Sequence, residues 1–344
     1  MSLSRPATFP LLKLPWLCVK CVFQNWRDIF DILCFALTSK RARRIVKIFK
    51  ISLNRIEVNL AIWHTRLGNS DKNWRFNHVS WFEEHYQHLR ENHIALHKKP
   101  PKLETCFFSR TKYTLNSYTL QNLRNASKIA MEFLNEVFNC SVERVDINLD
   151  NSPGNIAFKS TVNMCIKQNS THPLGYAQSQ KLNLLLKNLE VTDTCTFRIN
   201  STEKGFYVDP KLFKCRELVF GKRSANWVTR EILLQFEVPR LNFYDCPFSG
   251  QDILSFVTNW FHFDKKLEYF YIEFRSRQFS LENFQTEELN PVPFSGRYRS
   301  PPFGSFRYVH VDFSKGLEIV RHDGLKATIH VTGRDFLFYI WHNQ

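Results

Sequence analysis

Apolar residues in the first fifty positions recur at helical spacing and fall into three short groups. Behind Pro15, whose missing N–H suits the first turn of a helix, Leu14, Leu17, Cys18, Cys21 and Val22 are separated by three- and four-residue steps. After Asp28, a residue able to cap a helix, Ile29, Ile32, Leu33, Ala36 and Leu37 form a second single-face pattern, with Phe30 and Cys34 off that face. Ser39 can cap a third group, in which Ala42, Ile45, Val46 and Phe49 lie opposite Lys40, Arg41, Arg43, Arg44, Lys47 and Lys50. Three helices this small bury too little surface to stand alone. The second apolar strip on the middle helix therefore predicts a cover on two sides, once by its own bundle and once by something else.

Beyond Lys50 the period changes to that of a strand, with Ile56, Val58, Leu60 and Ile62 alternating with Glu57, Asn59 and Ala61. The polar run from Gly68 to Asn73 predicts a turn and Trp74 to Trp81 the return strand of a hairpin. Glu83 to Pro101, charged and rich in His, reads as an exposed connection, and Glu104 to Thr114 as extended. A long helix is expected from Leu120 to Phe138, because Leu123, Ala126, Ala130, Phe133, Leu134 and Val137 share one stripe. Strand patterns follow at Val142–Leu149, Cys195–Ile199, Arg216–Phe220, Arg240–Cys246 and Leu267–Phe274, and helical ones at Ser179–Lys187, Val228–Phe236 and Gln251–Phe261. Such alternation predicts an α/β domain with a mostly parallel sheet, and the steps from Leu218 to Leu241 to Leu267 are leucine-rich-repeat-like though irregular. The Pro- and Gly-rich Glu282 to Phe303 breaks the rhythm as a long loop. Leu317–Arg321, Lys326–Val331 and Phe336–Trp341, joined at Asp323-Gly324 and Thr332-Gly333, predict a closing antiparallel meander.

With 344 residues, 43% hydrophobic and 15% aromatic, the chain has ample material for about two globular domains. Lys and Arg number 47 against 32 acidic residues, and the net charge of +15 biases the protein towards polyanions. The basic run from Lys40 to Lys50 would suit phosphates, yet it also fits the solvated face of an amphipathic helix. The nine cysteines are scattered through apolar runs and read as reduced thiols of an intracellular protein, cytoplasmic or nuclear. Pro10, Lys13, Pro15 and Lys20 interrupt the N-terminal apolar stretch, which argues against a signal core, and no long uncharged run predicts a membrane span.

Phe9-Pro10-Leu11-Leu12, Leu14-Pro15, the Ile29, Ile32, Leu33 face and Ser39-Lys40-Arg41 together resemble an F-box, the motif that docks a substrate receptor onto the Skp adaptor of a cullin-based ubiquitin ligase. Leu17 departs from the pattern, standing where many F-boxes carry Glu, and so offers burial in place of a charge at the helix N-terminus. A second resemblance is carried by Ser224-Ala225-Asn226-Trp227-Val228-Thr229, Glu231-Ile232-Leu233-Leu234, Arg240-Leu241, Asp252, Phe256, Trp260 and Leu267-Glu268-Tyr269. These, with Arg321, Asp323-Gly324 and Thr328 in the closing segment, are similar to the F-box-associated type 2 domain, which in that family follows an F-box. The resemblances imply a small three-helix F-box in 1–50, a hairpin and connection in 51–118, and the associated α/β domain in 119–344. They also imply adaptor contacts through Leu14, Pro15, Leu17, Ile29, Phe30, Ile32 and Leu33, and a target protein held by the second domain.

Strand alternation supplies a candidate target surface. If Phe270, Ile272 and Phe274 point inward, Tyr269, Tyr271 and Glu273 share the other face, beside Asn242 and Tyr244 of the neighbouring strand. Exposed tyrosines there favour a partner surface, whereas helices over both faces of the sheet would bury them. Other candidate chemistry has simpler readings. Cys18 and Cys21 fit C-x-x-C, but no second pair lies near enough to complete a zinc site. His78, His85, His88, His93 and His97 lack the Glu of a metalloprotease helix. Asp209, Asp252, Asp323 and Glu273 read as caps or turn residues, and no phosphate loop or nucleophile elbow is present. The expectation is a non-catalytic receptor without cofactor or metal, its alternative a nucleic-acid-binding protein using the Lys40–Lys50 helix.

Overall fold

A computed structural model describes residues 13–26, 28–49, 56–59, 64–67, 73–78, 105–110, 114–119, 123–138, 141–150 and, apart from 157, 201, 204, 264–265, 276–279 and 296–310, 156–342. The chain is a mixed α/β protein that divides into two units, the first comprising Met1–Arg144 with Ile156–Phe158 and the second Val145–Asn155 with Lys159–Gln344. The predicted connection from Glu83 to Pro101, with His85, His88, His93 and His97, lies outside the described residues.

In the first unit, helices α1 (Trp16–Asn25), α2 (Ile29–Thr38) and α3 (Lys40–Ile48) follow the three predicted groups. Two of the predicted caps form: Asp28 accepts from the Phe30 N–H at 2.8 Å and Ser39 from the Ala42 N–H at 3.0 Å. Pro15 sits one position earlier than expected, at the N-cap of α1, where its carbonyl accepts from Val19. The core of these helices comprises Val19, Phe23, Phe30, Ile32, Leu33, Ala36, Leu37, Ala42 and Val46. Strand β1 (Ile56–Asn59) buries Ile56 and Val58 as its alternation requires. The expected single hairpin is instead a meander, because β2 (His64–Leu67) pairs antiparallel with β1, and β3 (Asn73–His78) with β2. Polar His64 and Thr65 masked this strand from a reading based on apolar alternation.

Strands β4 (Thr105–Arg110) and β5 (Thr114–Thr119) complete the sheet of this unit in the order β1-β2-β3-β5-β4, with β5 parallel to β3. Helix α4 (Leu123–Phe138) buries Ala130, Phe133, Leu134 and Val137 from its predicted stripe. It meets α3 where Arg43 stands over the Phe133 ring at 4.8 Å and reaches Glu136 at 3.4 Å.

The second unit opens within β6 (Val142–Asn148) and continues with β7 (Ser160–Lys167), helix α5 (Tyr176–Asn188), β8 (Glu190–Arg198) and β9 (Glu217–Phe220). The one-turn α6 (Arg230–Leu233), β10 (Arg240–Cys246), α7 (Gly250–His262) and β11 (Tyr269–Phe274) follow. Parallel pairing runs unbroken from β7 to β11, and Phe197, Phe220 and Phe243 lie side by side in its register. Their rings stack at 5.0 and 4.7 Å, although each is twenty-three residues from the next in sequence. This aromatic ladder continues through Phe270 to Phe336, and α7 covers it with Phe256, 4.1 Å from Phe270.

Beyond β11 the sheet turns antiparallel, as predicted: β13 (Leu317–Val320), β14 (Lys326–Thr332) and β15 (Asp335–Trp341) form the meander, and β15 pairs with β11. The predicted Pro-rich loop contributes a short edge strand, β12 (Val292–Pro293), to this end. Gly324 and Gly333 occupy the two meander turns with φ of 84° and 61°, a conformation that favours glycine. Arg321 forks onto Asp323, at 3.0 and 2.6 Å, and lies over the Trp260 ring, so its guanidinium holds the Asp323 carboxyl far below the usual carboxylate range.

Candidate functional site: an outward helix face and a polar sheet face

Helix α1 presents a different face to its core from the one its aliphatic spacing predicts. Leu17 is 73% exposed, Cys18, Cys21 and Val22 are also exposed, and Val19 and Phe23 are buried in their place. Aromatic area decides the matter. Phe23 stacks on Phe49 at 4.7 Å and meets Phe35 edge-on at 5.3 Å, while Trp16 stacks on Phe49 at 5.2 Å. Burying Phe23 against these rings, with Val19 beside it and Trp16 half-covered by Phe49, removes apolar surface in stacked and edge-on aromatic contacts that the two cysteines, valine and leucine of the opposite side cannot make. Successive helical positions differ by about 100°, which places Leu17, Cys18, Cys21 and Val22 on one continuous outward strip, with half-buried Leu14 at its start and exposed Pro15 beside it.

The residues expected to grip an adaptor therefore separate into two sets. Leu14, Pro15 and Leu17 are accessible in whole or part, and Ile29 is half-buried. Phe30, Ile32 and Leu33 are 0–3% exposed and belong to the helical core, so the expectation that they contact an adaptor directly is corrected. Phe30 is buried despite lying off the predicted stripe, because α2 is apolar nearly all round and is packed on more than one side.

Helix α3 divides cleanly, with Ala42 and Val46 inward and Lys40, Arg41, Arg44 and Lys47 exposed. Arg43 is withdrawn from this basic row by its contacts with Phe133 and Glu136.

In the second unit, Asn242, Tyr244, Tyr269, Tyr271 and Glu273 share a sheet face as the alternation requires. The face is largely closed, which corrects the expectation of an open tyrosine surface. Tyr269 is 1% and Tyr271 9% exposed, packed with Phe313, Leu337 and Tyr339, and flanked by Phe294, Val311 and Trp341. The cover among the described residues is thus the segment entering β13, with Phe313 in its short 3-10 turn, and not an α-helix. Asn242 is also buried, donating from Nδ2 to Glu217 Oε1 at 2.8 Å and to the Tyr269 hydroxyl at 3.2 Å. The Tyr269 hydroxyl donates to the same Glu217 oxygen at 2.9 Å, and that of Tyr271 to Asp335 at 2.8 Å. Burial, reinforced by these carboxylates, pushes both phenols well above their ordinary pKa. They act as neutral donors in a structural network. Tyr244 and Glu273 alone of the five remain partly accessible.

The residues carrying the second sequence resemblance are likewise structural. Trp227 packs among Phe197, Phe206 and Phe220, and Ser224 bonds both backbone groups of Ile199 at 3.0 Å. Thr229 caps α6, while Ser249 and Asp252 form the capping box of α7. Asp209 caps a short 3-10 turn at Pro210–Leu212, so Asp209 and Asp252 take the capping roles expected of them, whereas Glu273 lies within the β11 ladder and is neither a cap nor a turn residue. Among the described residues no group of three or more His, Cys, Asp or Glu is arranged to hold a metal ion, and no helix is long and apolar enough to cross a membrane.

Comparison with known proteins adds little chemistry. No family model matches the chain, and no solved structure matches it. An uncharacterized protein of Caenorhabditis elegans is 27% identical over 167 residues, a stretch that spans 46% of this chain and 38% of that protein.

Proposed function

We propose that this chain is a non-catalytic substrate-recognition subunit of a cullin-based ubiquitin ligase, with an N-terminal F-box that binds a Skp-type adaptor and an F-box-associated, leucine-rich-repeat-like α/β domain that binds a target protein. The supporting observation is the outward strip of α1. A helix that turns Leu17, Cys18, Cys21 and Val22 to solvent while burying Val19 and Phe23 on its other side has apolar surface to offer a partner. Leu17 at the place of the usual acidic residue fits this reading, since an aliphatic side chain exposed there gains by burial against the adaptor. Transfer chemistry would belong to other subunits, and this one would contribute proximity between target and ubiquitin carrier. Such a receptor would work in the cytoplasm or nucleus.

The test follows from the two faces of α1. Leu33→Asp would place a charge in the helical core and confuse unfolding with lost binding, whereas Leu17→Asp with Val22→Asp alters only exposed positions. Co-expression with a Skp-type adaptor should give a stable equimolar complex on size exclusion for the parent chain and free chain for the double variant. A complex that survives the double substitution would end the docking reading.

A second reading is favoured by one observation, the exposed row Lys40, Arg41, Arg44 and Lys47 on α3, which form no ion pair among the described residues. Nucleic-acid binding through that row would weaken linearly in log salt. A triple variant of Arg41, Arg44 and Lys47 to Glu should abolish it.

A further inference from the structure

Strands β8 to β11 run parallel, so Arg198 at the end of β8, Lys222 and Arg223 after β9, Asp245 near the end of β10 and Arg275 after β11 come to one edge of the second unit. The carboxyl edge of a parallel sheet is where α/β folds take up ligands. Two backbone irregularities mark it. Arg223 and Asp245 have φ of 62° and 51°, a left-handed conformation that Asp tolerates and Arg seldom adopts. Asp245 is also the extra residue of a bulge, standing between Tyr244, paired with Glu273, and Cys246, paired with Phe274.

At the bulge the Asp245 carboxylate lies between two guanidiniums. Its Oδ2 accepts from Arg223 Nε at 3.4 Å and its Oδ1 from Arg275 Nε at 3.0 Å. Arg275 Nη2 also donates to the Asp245 carbonyl at 3.2 Å and to Asn226 Oδ1 at 3.1 Å. These bonds fix both arginines, yet both terminal nitrogens of Arg223 and Nη1 of Arg275 donate to no group among the described residues. Lys222 precedes Arg223 and Arg198 lies beside Gly221; both are exposed and form no ion pair among the described residues. The single carboxylate is already spent on holding the two forks. Guanidiniums held in this way lose little freedom when an anion arrives, unlike solvated lysines.

We infer that this edge binds a phosphomonoester dianion, its oxygens on the terminal nitrogens of Arg223 and Arg275. Neighbouring guanidinium forks match the geometry of phosphate oxygens, and the dianion offers three acceptors where a carboxylate offers two and half the charge. The inference does not rest on adaptor docking, which concerns the first unit alone.

Isothermal titration of the full chain with O-phosphoserine, serine and glutamate at about pH 7.5, where the phosphate is a dianion, tests it. O-phosphoserine should bind saturably and at least about tenfold more tightly than glutamate, and serine should not bind saturably. Arg223→Gly removes one guanidinium while glycine accepts the local φ, and the lost ion pair is a surface one. Affinity for O-phosphoserine should therefore fall by about tenfold or more with the thermal midpoint unchanged or raised. Glucose 6-phosphate bound as tightly as a serine-phosphorylated peptide would identify a soluble ester as the ligand, and a peptide at least about tenfold tighter a phosphorylated protein. No saturable binding of O-phosphoserine, glutamate binding as tight, or full affinity in Arg223→Gly would each overturn the inference and leave Arg223, Asp245 and Arg275 as a structural clasp.

Discussion

The two units bury their aromatic residues by different logics. In the second, rings from strands distant in sequence are brought into register, so that Phe197, Phe220, Phe243, Phe270 and Phe336 form one continuous ladder under α7. In the first, the rings clustered on α1 to α3 meet within about thirty residues, at Trp16, Phe23, Trp26, Phe35 and Phe49. A sheet core recruits its apolar faces from the whole unit and closes over even the tyrosine side. A bundle of nine- and ten-residue helices has too few positions to cover every apolar face, and α1 leaves one of its two to solvent. The consequence is energetic, because α1 keeps in water apolar area that a covering surface would remove.

Substitutions can break that comparison. Trp260→Ala should destabilise the second unit most, by about 3–5 kcal/mol, since the ring is fully buried between Phe338 and the Arg321 guanidinium. Phe23→Ala should cost the first unit about 3 kcal/mol or more by opening a cavity against Phe49 and Phe35. Denaturant melts reporting each unit separately would check both. A small loss at Phe23 would mean that the helical cluster has no fixed core.

His330 supplies a pH arm. Burial lowers its pKa from the ordinary 6.5, the nearby Asp312 and Asp335 charges oppose that shift, and Lys315 adds to it. The folded state thus binds fewer protons than the unfolded state below pH 6.5, so the contribution of neutral His330 is fully present above that value and is lost as pH falls. Urea midpoints should drop between about pH 7.5 and pH 5.5, and His330→Phe should flatten part of that drop. Smaller still, Ser39→Ala should cost about 1 kcal/mol through loss of the α3 cap. Leu17→Asp should change stability by no more than about 0.5 kcal/mol, in contrast to Phe23→Ala on the buried side of the same helix.

Local interactions were legible in the sequence wherever they span four residues or fewer. The caps at Asp28, Ser39, Asp209 and Asp252, the Asp323-Gly324 turn and the change from helical to strand period all depend on neighbours in the chain, which a sequence displays directly. Ser160, Thr161 and Asn163 dilute the apolar signal of β7, as His64 and Thr65 dilute that of β2, so alternation alone shows neither strand. Which side of α1 faces inward, and whether Tyr269 and Tyr271 see solvent, were decided only by tertiary structure. In the first case two apolar faces competed, and ring stacking on Phe49 won. In the second, Phe294, Val311 and Phe313 come from a loop far along the chain, and nothing in the period of β11 records their arrival. Periodicity states which residues share a face, but the choice of the face to be covered belongs to whichever distant surface buries the larger apolar area against it.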